Sequence, residues 1–167
     1  MKDTIKIVAL AAALTLLVIA AHMLLTGAIA EETTRTVFVM CNPESYVNIR
    51  ERPSKHARIT GYALCGDGFE TDGIVRDGFV HVQCPTELGE GWISSGFVTY
   101  TEPEEVGETW IVDSNGRVAA RSTIGGPRKK WLKKGKEVTV YYIADVAITN
   151  HGFVDAEFLS PVPAENR

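Results

Sequence analysis

Residues 91–98 read "GWISSGFV", and residues 152–159 read "GFVDAEFL". The two strings lie 61 positions apart and share one order of residue types: glycine, aromatic, β-branched aliphatic, three-residue spacer, aromatic, aliphatic. A chain of 167 residues that writes one short grammar twice is expected to contain one structural unit twice.

The surroundings of both strings read as strands. After residue 30 helix signals are absent, and short β-rich runs bounded by Gly, Pro, Asp and Asn recur. The predicted strands of the first half are 36–40, 46–50, 59–64, 69–75, 79–84 and 92–94. Asp77-Gly78 is the kind of pair that allows the positive φ of a tight hairpin turn. In the strand that follows, Val80 and Val82 share one face while Phe79, His81 and Gln83 share the other, giving one core face and one wet face. The second half repeats the plan at 110–112, 117–121, 130–132, 137–143 and 153–155. Between the halves, "TEPEEVGE" at 101–108 is acidic and broken by a proline and a glycine, as a linker would be. Each unit then has about sixty residues or fewer, near the lower size at which a domain folds alone.

Composition excludes whole classes. A content of 45% hydrophobic and 23% charged residues is too apolar for disorder. The first thirty residues stand apart: Lys2 and Lys6 precede an apolar run at 7–25, and "GAIA" ends with Ala28 and Ala30 in the arrangement a signal peptidase reads. Cleavage after Ala30 is the favoured reading. The alternative is an uncleaved anchor, since a bilayer span needs about 20 residues. On either reading residues 31–167 are expected outside the cytoplasm, extracellular or in the envelope, touching membrane only through 7–25 if uncleaved. Removing Lys2, Lys6 and Asp3 leaves 15 basic and 20 acidic groups, a net charge of −5, which gives no reason to expect nucleic acid as a partner. The charge is uneven: residues 36–100 carry five basic and eight acidic groups, 108–160 eight and six.

All three cysteines, Cys41, Cys65 and Cys84, fall in the first half. In an exported chain one disulfide and one leftover thiol are expected, the bridge contributing on the order of 3 kcal/mol; the sequence does not choose among the three pairings. A zinc site from His81, Cys84 and the other cysteines is disfavoured, because no Cys-x-x-Cys pair is present and His81 and Cys84 would point to opposite faces of a strand. No metal and no cofactor is expected.

The first half, "YVNIRERPS", "GYALCGD", "DGFVHVQ" and "GWISSGFV", resembles the bacterial SH3 (SH3b) family over 46–98. The second half resembles the same pattern in part, through Val118, Arg121, Pro127, "LKKGKEV" and "GFVDAEFL", with Arg121 standing where Arg50 does and Gly135 where Gly66 does. Its central hairpin is shorter, 17 positions from Gly135 to Gly152 against 25 from Gly66 to Gly91, and Phe153 replaces the usual tryptophan. The resemblance implies an all-β chain of two small SH3-like barrels in tandem, at 36–100 and 108–160, joined by a linker at 101–107 and followed by a tail at 161–167. The repeated strings are then the closing strand and single helical turn of each barrel.

Such modules mostly target or bind, often at peptidoglycan. With both halves spent on barrels no catalytic domain fits: a cysteine peptidase needs a thiolate at a helix start, and a glycosidase needs two carboxylates across a cleft. No catalytic residue is assigned. The expectation is a non-catalytic exported binding module for peptidoglycan or a wall-associated polymer. The rival is a scaffold that assembles with an envelope protein through its strand edges. Aromatics are where a groove would hold a ligand, so Tyr46, Tyr62, Phe79 and Trp92 are candidates, together with Arg52. Phe79 is expected to be exposed, whereas Trp92 and Phe97 also suit the filling of a small barrel. Arg50 and Arg52, two apart, would share a strand face and suit carboxylates, although for Arg50 a structural bond to the neighbouring loop is favoured. Finally, "PRKKWLKKGK" gathers Arg128, Lys129, Lys130, Lys133, Lys134 and Lys136 around Trp131. It could meet an anionic polymer; a solvated turn is the favoured reading.

Overall fold

Alternating burial organises much of the described chain into strands. The structure is a computed structural model describing residues 34–84 and 89–162. The expected signal or anchor segment at 1–30 therefore lies outside the described residues, as does most of the tail. Among the described residues no helix is long and apolar enough to cross a membrane. The strands of the first half are β1 (Arg35–Val39), β2 (Tyr46–Arg50), β3 (Ile59–Leu64), β4 (Gly68–Thr71), β5 (Val75–Arg76), β6 (Phe79–Gln83), β7 (Glu90–Ser94) and β8 (Val98–Thr99). The second half contributes β9 (Glu104–Val112), β10 (Val118–Arg121), β11 (Arg128–Leu132), β12 (Glu137–Ile143), β13 (Val146–Thr149), β14 (Gly152–Asp155) and β15 (Leu159–Pro161). Single 3₁₀ turns, Ser95–Phe97 and Ala156–Phe158, are the only helical residues described. The all-β class expected from the sequence is what the chain adopts.

Two sheets result, with one topology. The first runs β3-β2-β7-β6-β4-β1-β8, with β5 beside β6, and the second runs β11-β10-β14-β13-β12-β9-β15. Strand for strand the orders correspond. Each sheet is an open path rather than the closed barrel expected. Closure needs a continuous ladder around the ring, and among the described residues the end strands do not meet: β3 is not paired with β8, nor β11 with β15. Each sheet nonetheless encloses its own core. Val37, Val47, Ile49, Phe69, Val80, Val82 and Ile93 form one cluster, drawn from five strands. Val112, Val118, Leu132, Val138, Val140, Val154 and Leu159 form the second.

The correspondence extends to individual bonds. The Val39 N–H donates to the Asp67 carbonyl and the Val112 N–H to the Lys136 carbonyl, both at 2.9 Å. Gly66 N–H to Val39 O and Gly135 N–H to Val112 O are both 2.8 Å. Arg50 pairs with Trp92 and Arg121 with Phe153. Each arginine then donates from Nη1 to a carbonyl of the loop after its strand, Ala57 at 2.8 Å and Gly126 at 2.9 Å. A covered loop needs donors for its carbonyls, and one guanidinium supplies them without a second strand.

One local expectation changes and another holds. Residues 104–107, expected in the linker, belong to β9: Glu104 and Glu105 pair with Ile143 and Tyr142, and Val106 packs against the second core. Between Glu105↔Tyr142 and Glu108↔Val140 the register shifts, and Gly107, at φ 66°, sits in that irregularity. The glycine serves a bulge, which one residue at positive φ accommodates, and not a flexible joint. At the other site, the Asp77-Gly78 turn joins β5 to β6 with both residues at positive φ, 47° and 77°, as a tight hairpin requires.

From Thr34 onward the chain clusters as one compact unit. The two sheets share a third apolar cluster, in which buried Met40, Ile148 and Phe153 are joined by half-buried Phe97, Ile124 and Tyr141. The Phe97 and Phe153 rings meet edge-on at 6.0 Å. Backbone and side chain reinforce the seam: Ile124 N–H donates to Gly96 O at 2.8 Å, and Thr101 Oγ1 to Asp145 Oδ2 at 2.9 Å. The repeats are fused along a face, not strung on a linker.

Candidate functional site

Beside that seam the chain leaves a cleft of about 920 Å³ lined by both repeats. The first contributes the loop 42–45, then Tyr46, Asn48 and Arg50 from β2, Phe79 and Ser94. The second contributes Arg121, Ser122, Lys129, Tyr141, Asn150 and Phe153. On β2 the placement follows from the period of two: Val47 and Ile49 point into the core, so Tyr46, Asn48 and Arg50 face out. Among the lining side chains Arg50, Lys55, Arg121 and Lys129 are cationic and Glu44 alone is anionic. The cleft therefore carries a positive field in a chain that is acidic as a whole.

An aromatic platform borders it. Tyr46 and Tyr62 are 58% and 62% exposed, and their rings meet edge-on at 4.7 Å. Tyr46 pairs with Leu64 and Asn48 with Tyr62 across the β2–β3 ladder, which puts all four on one outer face. Leu64 is exposed as well. Large uncovered rings of this kind offer stacking area with a hydroxyl at the rim.

The expected site residues divide. Tyr46 and Phe79 line the cleft, and Tyr62 flanks Tyr46. Phe79 is half-buried rather than fully exposed. Trp92 is also half-buried, its ring 4.8 Å from that of His81 on the same outer face, so it fills neither the core nor the cleft. Arg52 lies in the loop beyond the end of β2, exposed and outside the cleft lining. It does not share a strand face with Arg50, because β2 ends at Arg50 and the chain turns there. In the basic run, Arg128, Lys129 and Lys130 belong to the edge strand β11, whereas Lys133, Lys134 and Lys136 lie in the turn after it. Arg128 stacks over Trp131 at 4.5 Å, and Lys134 reaches Asp113 at 3.5 Å. Only Lys129 of the six reaches the cleft. Asn48, Arg121, Tyr141 and Asn150 are not among the binding candidates the sequence offers, since nothing local marks residues that meet only across a seam.

The two half-buried histidines sit in opposite fields. His81 Nδ1 lies 2.7 Å from Asp72 Oδ2, and Nε2 lies 3.5 Å from Glu90 Oε2. Asp72 is held below its usual range: partial burial opposes this, but the Ile74 N–H and His81 outweigh it. His151 is pushed down by burial first and then by Lys130, Lys136 and Lys129.

The three cysteines are free thiols. Cys41 lines the cleft, and its N–H donates to Cys65 Sγ at 3.3 Å. Cys84 is buried on its own, and burial alone raises its thiol. Among the described residues no three His, Cys, Asp or Glu side chains converge as a metal ion would need.

No protein-family model matches the chain. No curated protein matches it either. Among solved structures it is similar to NlpC1 from Trichomonas vaginalis, with a TM-score of 0.35 and 15% identity over 81% of this chain and 48% of that one. NlpC2 from the same organism gives 0.34 and 15% over 80% and 50%. The chain thus spans about half the length of each of these proteins.

Proposed function

We propose that the chain is an exported, non-catalytic binding protein of two SH3b-like units, and that the cleft between them takes a segment of cell-wall peptidoglycan. The observation that carries this reading is the pairing of a cationic cleft with an open tyrosine platform: Arg50, Lys55, Arg121 and Lys129 beside Tyr46 and Tyr62. Stem-peptide carboxylates suit the cations through charge-assisted hydrogen bonds, and sugar rings suit the tyrosine faces. Arg50 and Arg121 each spend one Nη1 proton on a loop carbonyl, so the other guanidinium donors are available to a carboxylate, in an orientation the loop has already set.

The test is co-sedimentation of the purified protein with protein-free sacculi. The protein should pellet, Tyr46→Ala with Tyr62→Ala should weaken pelleting by about tenfold, the equivalent of roughly 1.4 kcal/mol, and Phe79→Ala should weaken it less. Absence of pelleting at every salt concentration removes the proposal. One feature supports a second reading, assembly with an envelope protein: β3 is a sheet edge without a charged residue, with Ile59, Tyr62 and Leu64 exposed. Such an edge can accept another strand. If the protein fails to pellet and instead captures an envelope protein that Thr60→Pro releases, that reading stands in its place.

A further inference from the structure

The ends of β1 and β3 bring two thiols together. Val39 and the 66–67 turn exchange backbone bonds, Val39 N–H to Asp67 O at 2.9 Å and Gly66 N–H to Val39 O at 2.8 Å. That exchange holds Cys41, two residues after β1, against Cys65, the residue after β3. The Cys41 N–H donates to Cys65 Sγ at 3.3 Å, while the Cys41 thiol donates to the Ser45 carbonyl at 3.7 Å. Cys65 is half-buried and Cys41 buried. The second repeat shows that the fold does not require a dithiol here. Counting from the matched bonds, Ser114 and Lys134 take the places of Cys41 and Cys65, and Lys134 joins Asp113 by an exposed ion pair.

We propose that Cys41 and Cys65 are a redox-convertible pair, closing to a disulfide by exchange with an external disulfide and leaving Cys84 as the single thiol. The roles of the two sulfurs differ. The neighbouring Cys41 side chain lowers Cys65, partial burial opposes this, and the N–H groups of Cys41 and Gly66 add to the lowering. The neighbouring Cys65 side chain, together with burial, pushes Cys41 up. Cys65, the more exposed of the two and the acceptor of the Cys41 N–H, is therefore the attacking thiolate and Cys41 the resolving thiol. In the first step the Cys65 thiolate attacks one sulfur of the external disulfide, a mixed disulfide forms, and the other sulfur leaves as a thiolate that takes the Cys41 proton. In the second step the Cys41 thiolate attacks Cys65 Sγ. The protein disulfide forms, and the second thiolate leaves and is protonated by solvent. Two protein thiols are oxidised and one external disulfide is reduced to two thiols.

Peptide mapping reads the result directly, because trypsin places Cys41, Cys65 and Cys84 in separate peptides, 36–50, 59–76 and 77–117. The reduced full-length protein is treated with oxidised glutathione at several ratios to the reduced form, quenched with N-ethylmaleimide and digested. The expected product joins 36–50 to 59–76, with maleimide on Cys84 alone. In Cys41→Ser the mixed disulfide with glutathione should be trapped on Cys65, forming at least about tenfold faster than on Cys84. A cross-link involving 77–117, glutathione retained on Cys65 of the unmutated chain, or all three cysteines labelled at every ratio would each overturn the pairing. The unmutated chain carries the main result, so a variant that fails to fold does not spare the proposal.

Discussion

The two repeats share a skeleton and differ in almost everything hung on it. Both place their strands in one order, close the same turn with the same backbone bonds, and tie the loop after the second strand with one arginine. Yet the first extends its central arm with β5 and an Asp-Gly turn, whereas the second goes from β12 to β13 through Ala144 and Asp145. The first holds its histidine between carboxylates and the second holds its own among lysines. The first leaves an apolar edge at β3, while the second edges its sheet with cations at β11. The lesson is that backbone bonds and a few steric necessities define this unit, and side chains facing outward were free to diverge.

The largest effect expected from that comparison is at its glycines. Gly152 has φ 117°, and a methyl there would collide with the Arg121 carbonyl oxygen, whereas a methyl at Gly91 would collide with the Ile49 side chain. Backbone cannot move aside as a side chain can. Gly152→Ala should cost about 3 kcal/mol or more and Gly91→Ala about 1–2 kcal/mol, measured by urea unfolding; the reverse order would break the argument. Next come the arginines: Arg50→Ala and Arg121→Ala should each cost roughly 2 kcal/mol, similar to one another because each leaves one loop carbonyl without its donor. Unequal losses would mean the loops are held by something other than the matched bond.

Acidification should separate the repeats more finely. His151 is depressed in the folded chain below the ordinary value of about 6.5, so the unfolded chain takes the proton first. Its contribution is complete above about pH 6.5 and is lost as pH falls through the depressed value. Unfolding followed between pH 7 and pH 5 should show a decline of less than about 1 kcal/mol that His151→Gln flattens. Asp72 is lowered too, so its contribution is complete above the ordinary carboxylate range near 4 and fades only beneath it. Asp72→Asn should therefore flatten the decline below about pH 4. Smallest of all, Lys134→Ala breaks an exposed ion pair and should change stability by no more than about 0.5 kcal/mol.

Much of the fold was legible in residue patterns because its causes are local. Alternation at Val80 and Val82, the Asp77-Gly78 turn and the paired Gly-aromatic strings each act within a few residues. What escaped notice has non-local causes. β13 begins only three residues after β12 ends, with no glycine or proline to mark the turn, so the two strands read as one run and a loop. Pro103 and Gly107 looked like a break, although Gly107 is the irregular residue of a continuous strand. Tyr46, Tyr62 and Phe79 were identifiable as ring-bearing candidates, but their partners Arg121, Lys129 and Asn150 lie across the seam, and no spacing in one chain segment encodes a meeting between two. The choice of Cys65 as the neighbour of Cys41 depends likewise on how the 66–67 turn docks on Val39.

The seam has a consequence for the order in which the chain is made. Met40 and Phe97 belong to the first repeat, but what covers them, Ile148 and Phe153, is synthesised last. An amino-terminal repeat that has emerged and folded ahead of its twin keeps an apolar face uncovered for the time needed to add about fifty residues, a few seconds at ordinary synthesis rates. During that interval the nascent chain presents a sticky surface that a holding chaperone would recognise. A stop codon anywhere between the repeats would make that surface permanent.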